Sequence, residues 1–225
     1  MKKDILLLSL IVPAPTLGVL ISMYWFPATE IAKYSFLITK VWPLLVASFF
    51  LKKYYKSEFK IPKFNLSGFK ISIIVSCICL ILSLLTYEKL FSLFVEKDHF
   101  LKMMGEIGLT NKYLFIGLSF YWCFINSLIE EYIWRFSINN ACKNLWKKVP
   151  TALIMGSLFF TLHHTVSLNK YTSFLTIIVG SLICFIAGYF WSWLYEKYQN
   201  IWACYIGHII ADLCIFIPVY LIIFT

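Results

Sequence analysis

The chain alternates long apolar runs with short polar segments, and the runs set the architecture. A helix crosses roughly 30 Å of hydrocarbon with about 20 apolar residues, because each residue rises about 1.5 Å. Seven stretches reach this scale: residues 5–26, 34–51, 71–87, 113–136, 151–168, 174–194 and 201–224. They predict an all-α, polytopic transmembrane helix bundle of about seven spans. Lys2 and Lys3 ahead of the first run resemble the start of a signal peptide. That run is long for a signal core, however, and no small-x-small cleavage site follows it, so a retained helix is expected. No linker rich in Gly, Ser or Pro, no repeat and no low-complexity tract interrupts the pattern. The expectation is a single membrane domain over residues 1–225, with N-terminal helices and a loop in 1–112 and a motif-bearing core in 113–225.

Composition agrees with the pattern. Of 225 residues, 60% are apolar or aromatic and 14% are charged, far less polar than a soluble domain of this size. The net charge of +9 would suit nucleic acid in a soluble protein, but here the lysines gather beside apolar runs. Lys2 and Lys3 precede the first, Lys52, Lys53, Lys56, Lys60, Lys63 and Lys70 follow the second, and Lys143, Lys147 and Lys148 follow the fourth. With seven spans, all three groups share one side. That is the positive-inside pattern, with attraction to anionic lipid head groups. It puts the N-terminus in the cytoplasm and the 88–112 loop outside, in a multi-pass protein of the cell membrane. The bilayer, not nucleic acid, is the expected partner. The seven cysteines form no CxxC pair, so neither a zinc knuckle nor a disulfide framework is indicated.

Ionisable residues change the picture, since each costs about 2.5–3.5 kcal/mol at the centre of a membrane helix. Three of the last four runs carry them: Glu130, Glu131 and Arg135 in the fourth, His163 and His164 in the fifth, His208 and Asp212 in the seventh. Glu131 and Arg135 are i and i+4 and share a helix face, as do His208 and Asp212. Glu130 is turned about 100° from Glu131 and stays free for another partner. Counted from the nearest cytoplasmic lysines in the sequence, Glu130, His164 and His208 lie about 25, 24 and 17 Å deep. A break near Asn139-Asn140 would bring Glu130 closer to the cytoplasm. Intramembrane ionisable groups that face one another mark function by default. Lys40, near Pro43, is the one such residue in the first three runs. It contacts substrate or lipid, or it snorkels and marks a shorter span, and a structural role is expected for it. Pro13 and Pro15 are expected to kink the first helix.

The three motifs resemble those of the CAAX protease and bacteriocin-processing (CPBP) family, intramembrane proteases that include the type II prenyl-protein endopeptidase. The matching residues are Glu130, Glu131 and Arg135; Phe160 and His164; His208 and Asp212. Phe159 with His163 fits the second motif's spacing as well, although the residues before His164 suit the family better. The resemblance covers roughly Tyr113 to Phe224. It implies an intramembrane endopeptidase acting on a membrane-associated peptide or protein. Glu130 would then be the general base, His164 would orient the water, and Glu131 would be held by Arg135. His208 and Asp212 would lie near the oxyanion or bind a metal. Asp212 stands where some members have Asn. Glu130, His164, His208 and Asp212 together make a donor set for a divalent ion such as zinc, as in a metalloprotease, and a metal-free glutamate mechanism suits them equally. Two other classes compete: a catalytically silent immunity or scaffold protein using the same cavity, and a cation- or proton-coupled transporter. The short chain, with no inverted repeat or broken-helix pair, weighs against the transporter.

Overall fold

A computed structural model describes residues 1–27, 29–55 and 64–225. Lys56, Lys60 and Lys63 of the second basic group lie outside the described residues. Among the described residues seven helices are long and apolar enough to span a membrane. In chain order the helices are α1 (Lys2–Trp25), α2 (Glu30–Tyr54), α3 (Phe69–Phe94), the short α4 (Lys97–Glu106), α5 (Lys112–Trp146), α6 (Val149–Tyr171), α7 (Phe174–Tyr198) and α8 (Ile201–Phe224). Their starts are written in polar side chains. Thr29, Asn111, Ser173 and Asn200 each accept a hydrogen bond from a backbone N–H in the first turn that follows, satisfying a donor the helix cannot. At two ends, Lys147 (φ 59°) and Gln199 (φ 50°) take positive φ, which stops the helix and turns the chain.

Polarity is distributed as a bilayer demands. Leu85, Ile183 and Ile215 point outward, while Glu131, Arg135, Ser127 and Ser192 are fully enclosed. Buried polar groups in hydrocarbon must find partners within the bundle.

The helices outrun the apolar windows. α5 continues ten residues past 136, through Asn139-Asn140 and on to Trp146, so the chain does not break there. The extension is amphipathic: Asn139, Ala141 and Cys142 are buried, whereas Asn144 and Lys147 turn outward or lie at the rim. Hydropathy alone stops at the first polar residues and misses a helix that is half core. The expected 88–112 loop likewise holds α4, whose Phe100, Met103 and Met104 are buried. Val12, ahead of Pro13, keeps helical dihedrals (φ −60°, ψ −42°), so the prolines interrupt the hydrogen-bond ladder of α1 without ending the helix. Pro43 is carried inside α2 without interruption.

α3 and α8 pack along a close seam. Ser72 Oγ donates to the Ala203 carbonyl (2.5 Å) and Ser83 Oγ to that of Cys214 (2.6 Å). Small residues let membrane helices approach in this way. A Cβ on Gly207 would meet Ser72 Oγ at 2.6 Å and Trp191 Nε1 at 3.0 Å. Gly207→Leu is therefore expected to destabilise the bundle by about 1–3 kcal/mol through overpacking, read as a lower unfolding midpoint in a denaturing-detergent titration. Because His208 follows directly and stacks on Trp191, the same change should disturb the site.

Candidate active site

α5 brings the acidic pair to the middle of the bundle. The backbone there is irregular: π-helical turns span Tyr121–Asn126 and Tyr132–Ile138, on either side of Ser127–Glu131. Each wide turn shifts the register of the side chains beyond it, and such bulges recur at functional sites. As the spacing requires, the two glutamates face different partners.

Glu131 is the structural member. It and Arg135 are both fully buried. Arg135 Nε donates to Glu131 Oε2 (2.8 Å) and Nη2 to Oε1 (3.3 Å). Arg135 Nη1 reaches Ser192 Oγ (2.5 Å) and the Gly188 carbonyl (3.2 Å) on α7. The guanidinium lies near the faces of Phe160 and Trp191, a setting that suits a delocalised cation. His208 Nδ1 completes the cluster, 2.9 Å from Glu131 Oε1. A donating Nδ1–H there leaves Nε2 to face the cavity, a division of the two ring nitrogens common in catalytic histidines.

Glu130 is the cavity member. It meets Lys40 Nζ at 2.8 Å and Asn126 Nδ2 at 3.0 Å, both through Oε1. His163 Nε2 lies 3.8 Å from the same oxygen. His208 Nε2 is 4.0 Å from Glu130 Oε2 and 3.8 Å from Asp212 Oδ1. Ser127 Oγ contacts Asp212 Oδ2 at 2.6 Å. A cavity of about 120 Å³ joins these groups, lined by Lys40, Asn126, Glu130, His163, His164, His208 and Asp212 with an apolar wall from Phe36, Met23 and Trp122. A larger cavity of about 330 Å³, near Lys143 at the far end of α5, holds none of them. It touches Tyr55, whose phenol is held well above its ordinary range by burial and by the Asp4 carboxylate beside it.

Aromatic rings fix the histidines. His163 stacks on Trp134 (6.0 Å, 6°) and His208 on Trp191 (4.4 Å, 18°). Phe160 stands nearly perpendicular to both (89° and 81°) and packs against His164 at 4.8 Å. The ambiguity in the second motif thus has a spatial answer: both histidines reach the cavity, with ring centres 4.1 Å apart.

Every residue singled out in the sequence is in this region, in two layers: Glu130, His164, His208 and Asp212 line the cavity, and Glu131 with Arg135 stands behind. Among the described residues, Glu130, His163 and His164 bring donor atoms within 4.8 Å of one another and form a group able to hold an ion. His208 engages Glu131 through Nδ1 and keeps Nε2 towards the cavity, and Asp212 Oδ2 takes Ser127. One expectation needs correction. Lys40 does not snorkel. Its amine turns inward to Glu130, and the side chain is only 15% exposed. Its signal was a lone charge in a long apolar run. Asn126, one turn before Glu130, and Ser127 carried no comparable signal.

Seven helices long and apolar enough to span a membrane, gathered around a buried cluster of ionisable side chains, define a polytopic membrane protein. The family model described as Type II CAAX prenyl endopeptidase Rce1-like matches residues 112–214, the segment that carries all three motifs. Over that segment the chain is similar to this CAAX protease family. Neither the curated proteins nor the solved structures provide a match.

Proposed function

We propose that the protein is an intramembrane endopeptidase that hydrolyses a peptide bond of a membrane-associated protein or peptide, with Glu130 activating the water. One observation carries the reading. Glu130 Oε2, His163 Nε2 and His164 Nε2 are all buried, make no hydrogen bond among the described residues, and belong to residues that line one cavity. Buried polar atoms without partners are rare and call for one; a nucleophilic water placed among them would answer all three.

The chemistry follows from these positions. Oε2 takes a proton from the water as its oxygen adds to the scissile carbonyl, and the two histidines hold the water in line. Protonated on both nitrogens, His208 would donate Nδ1–H to Glu131 and Nε2–H to the tetrahedral oxyanion, and Asp212 beside it would stabilise that imidazolium. Glu130 then returns its proton to the departing amine, so the bond that breaks leaves a new carboxylate and a new amine. The buried Glu131–Arg135 pair keeps His208 in place throughout. The enclosed site strengthens each of these interactions.

The same three donors suit a divalent ion such as zinc in chemistry and spacing, and bound there it would polarise the water. Lys40, however, already sets a positive charge on Glu130 Oε1, where it would repel such an ion. Peptide hydrolysis by the purified protein is therefore expected to survive a strong chelator. Loss on chelation with recovery on added zinc would establish the metal reading instead. A panel of quenched fluorescent peptides in lipid nanodiscs, run beside Glu130→Ala, tests both. Cleavage by wild type alone supports the peptidase. Equal signals from the two proteins would reject it, and ion flux in liposomes without cleavage would point to a transporter. The lysine groups still favour a cytoplasmic N-terminus.

A further inference from the structure

We propose that Lys40 is a positioning residue for Glu130, tying down one carboxylate oxygen so that the other alone faces the water. The proposal deepens the peptidase reading above and rests on it. Lys40 belongs to α2, outside the matched segment 112–214, and no motif includes it.

A lysine in a membrane helix ordinarily carries its ammonium to the head groups on a flexible stem. Lys40 instead reaches inward, to 2.8 Å from Glu130 Oε1, in a pair whose side chains are 15% and 6% exposed. Asn126 Nδ2 donates to the same oxygen at 3.0 Å. Oε1 is thus doubly engaged while Oε2 accepts no hydrogen bond among the described residues. The two oxygens of a free carboxylate are equivalent and exchange by rotation. Two donors on one of them, from two helices, remove that equivalence and fix the direction of the remaining lone pairs. Asn126 alone cannot do this, because it lies one turn away on the same helix and moves with Glu130. Lys40 supplies the reference from outside. It also couples the wall of the cavity formed by Phe36 and Thr39 of α2 to the base, so α2 sets both the shape of the cavity and the aim of Glu130.

The test uses the full-length protein in nanodiscs, with Lys40→Met, Lys40→Arg and Glu130→Gln. Infrared difference spectra of wild type against Glu130→Gln isolate the Glu130 carboxylate bands and need no substrate. Those bands are expected to shift in Lys40→Met and to return towards wild type in Lys40→Arg; unmoved bands would overturn the contact itself. In peptide cleavage, Lys40→Met should lower kcat by about 100-fold, the scale of a 1 Å misplacement, with KM changed by less than about threefold. Lys40→Arg should recover most of the loss. Unchanged kcat in Lys40→Met, with Glu130→Gln inactive, would overturn the role of Lys40 and leave the peptidase reading intact. Activity in Glu130→Gln equal to wild type would overturn the peptidase reading and with it this role. Lys40→Gln supplies the same comparison if the methionine variant does not fold.

Discussion

Glu130→Gln is expected to reduce peptide cleavage by about a thousandfold, within the range that a positioned general base contributes, while leaving the folded bundle in place. The substitution keeps shape and volume. A glutamine oxygen can still accept from Lys40 and Asn126, which hold Glu130 Oε1 at 2.8 and 3.0 Å. What is lost is the ability to take a proton at Oε2. Because the interaction matters only once the water is being deprotonated, kcat should fall and KM should hardly move. Gln does leave the Lys40 ammonium without its counter-charge, at a smaller cost than in a fully enclosed pair, because Lys40 is 15% exposed on a flexible stem. Steady-state kinetics with the purified protein, beside a thermal melt, separates the two effects.

Arg135→Met should act the other way, on stability first. Arg135 and Glu131 are both without solvent exposure, and Arg135 also holds Ser192 and the Gly188 carbonyl. Removing one partner leaves an uncompensated carboxylate in the bundle, a loss of about 3–5 kcal/mol. Replacing both, as in Glu131→Leu with Arg135→Met, should recover much of it, because well-packed apolar residues can substitute for a buried pair. Unfolding free energies for both singles and the double, measured in mixed micelles, form a complete cycle. The double variant should nevertheless stay poorly active, since His208 Nδ1 then has no Glu131 Oε1 at 2.9 Å to fix its tautomer.

Much of this site is visible in the sequence because it lies within single helices. The Glu131–Arg135 contact is a property of i, i+4 spacing, and the opposite orientation of Glu130 follows from one residue's rotation. What crosses between helices is not visible. His208 reads as the partner of Asp212 one turn away, yet its Nδ1 goes to Glu131 on α5, and Asp212 goes to Ser127 on the same helix. Helix rotation decides these pairings, and a local pattern does not carry it. The π-helical turns around Glu130 are equally silent, since nothing in residues 121–138 announces a wide turn. Lys40 is the instructive case. A lysine in an apolar run can satisfy itself by reaching the interface or by finding a carboxylate, and only the position of α2 beside α5 chooses between them. The seven spans are the easier part, because length and hydropathy nearly suffice. They fail where a helix turns amphipathic, as at 137–146 and in α4.

The central claim, hydrolysis with Glu130 as the base, is tested most directly by mass spectrometry of a membrane-anchored peptide incubated with the protein in proteoliposomes made in oxygen-18 water. Wild type should yield two fragments, with heavy oxygen in the new C-terminal carboxylate of one, and Glu130→Gln should yield almost none. An intact peptide with every sequence tried, or the same labelled fragments from Glu130→Gln, would contradict the account.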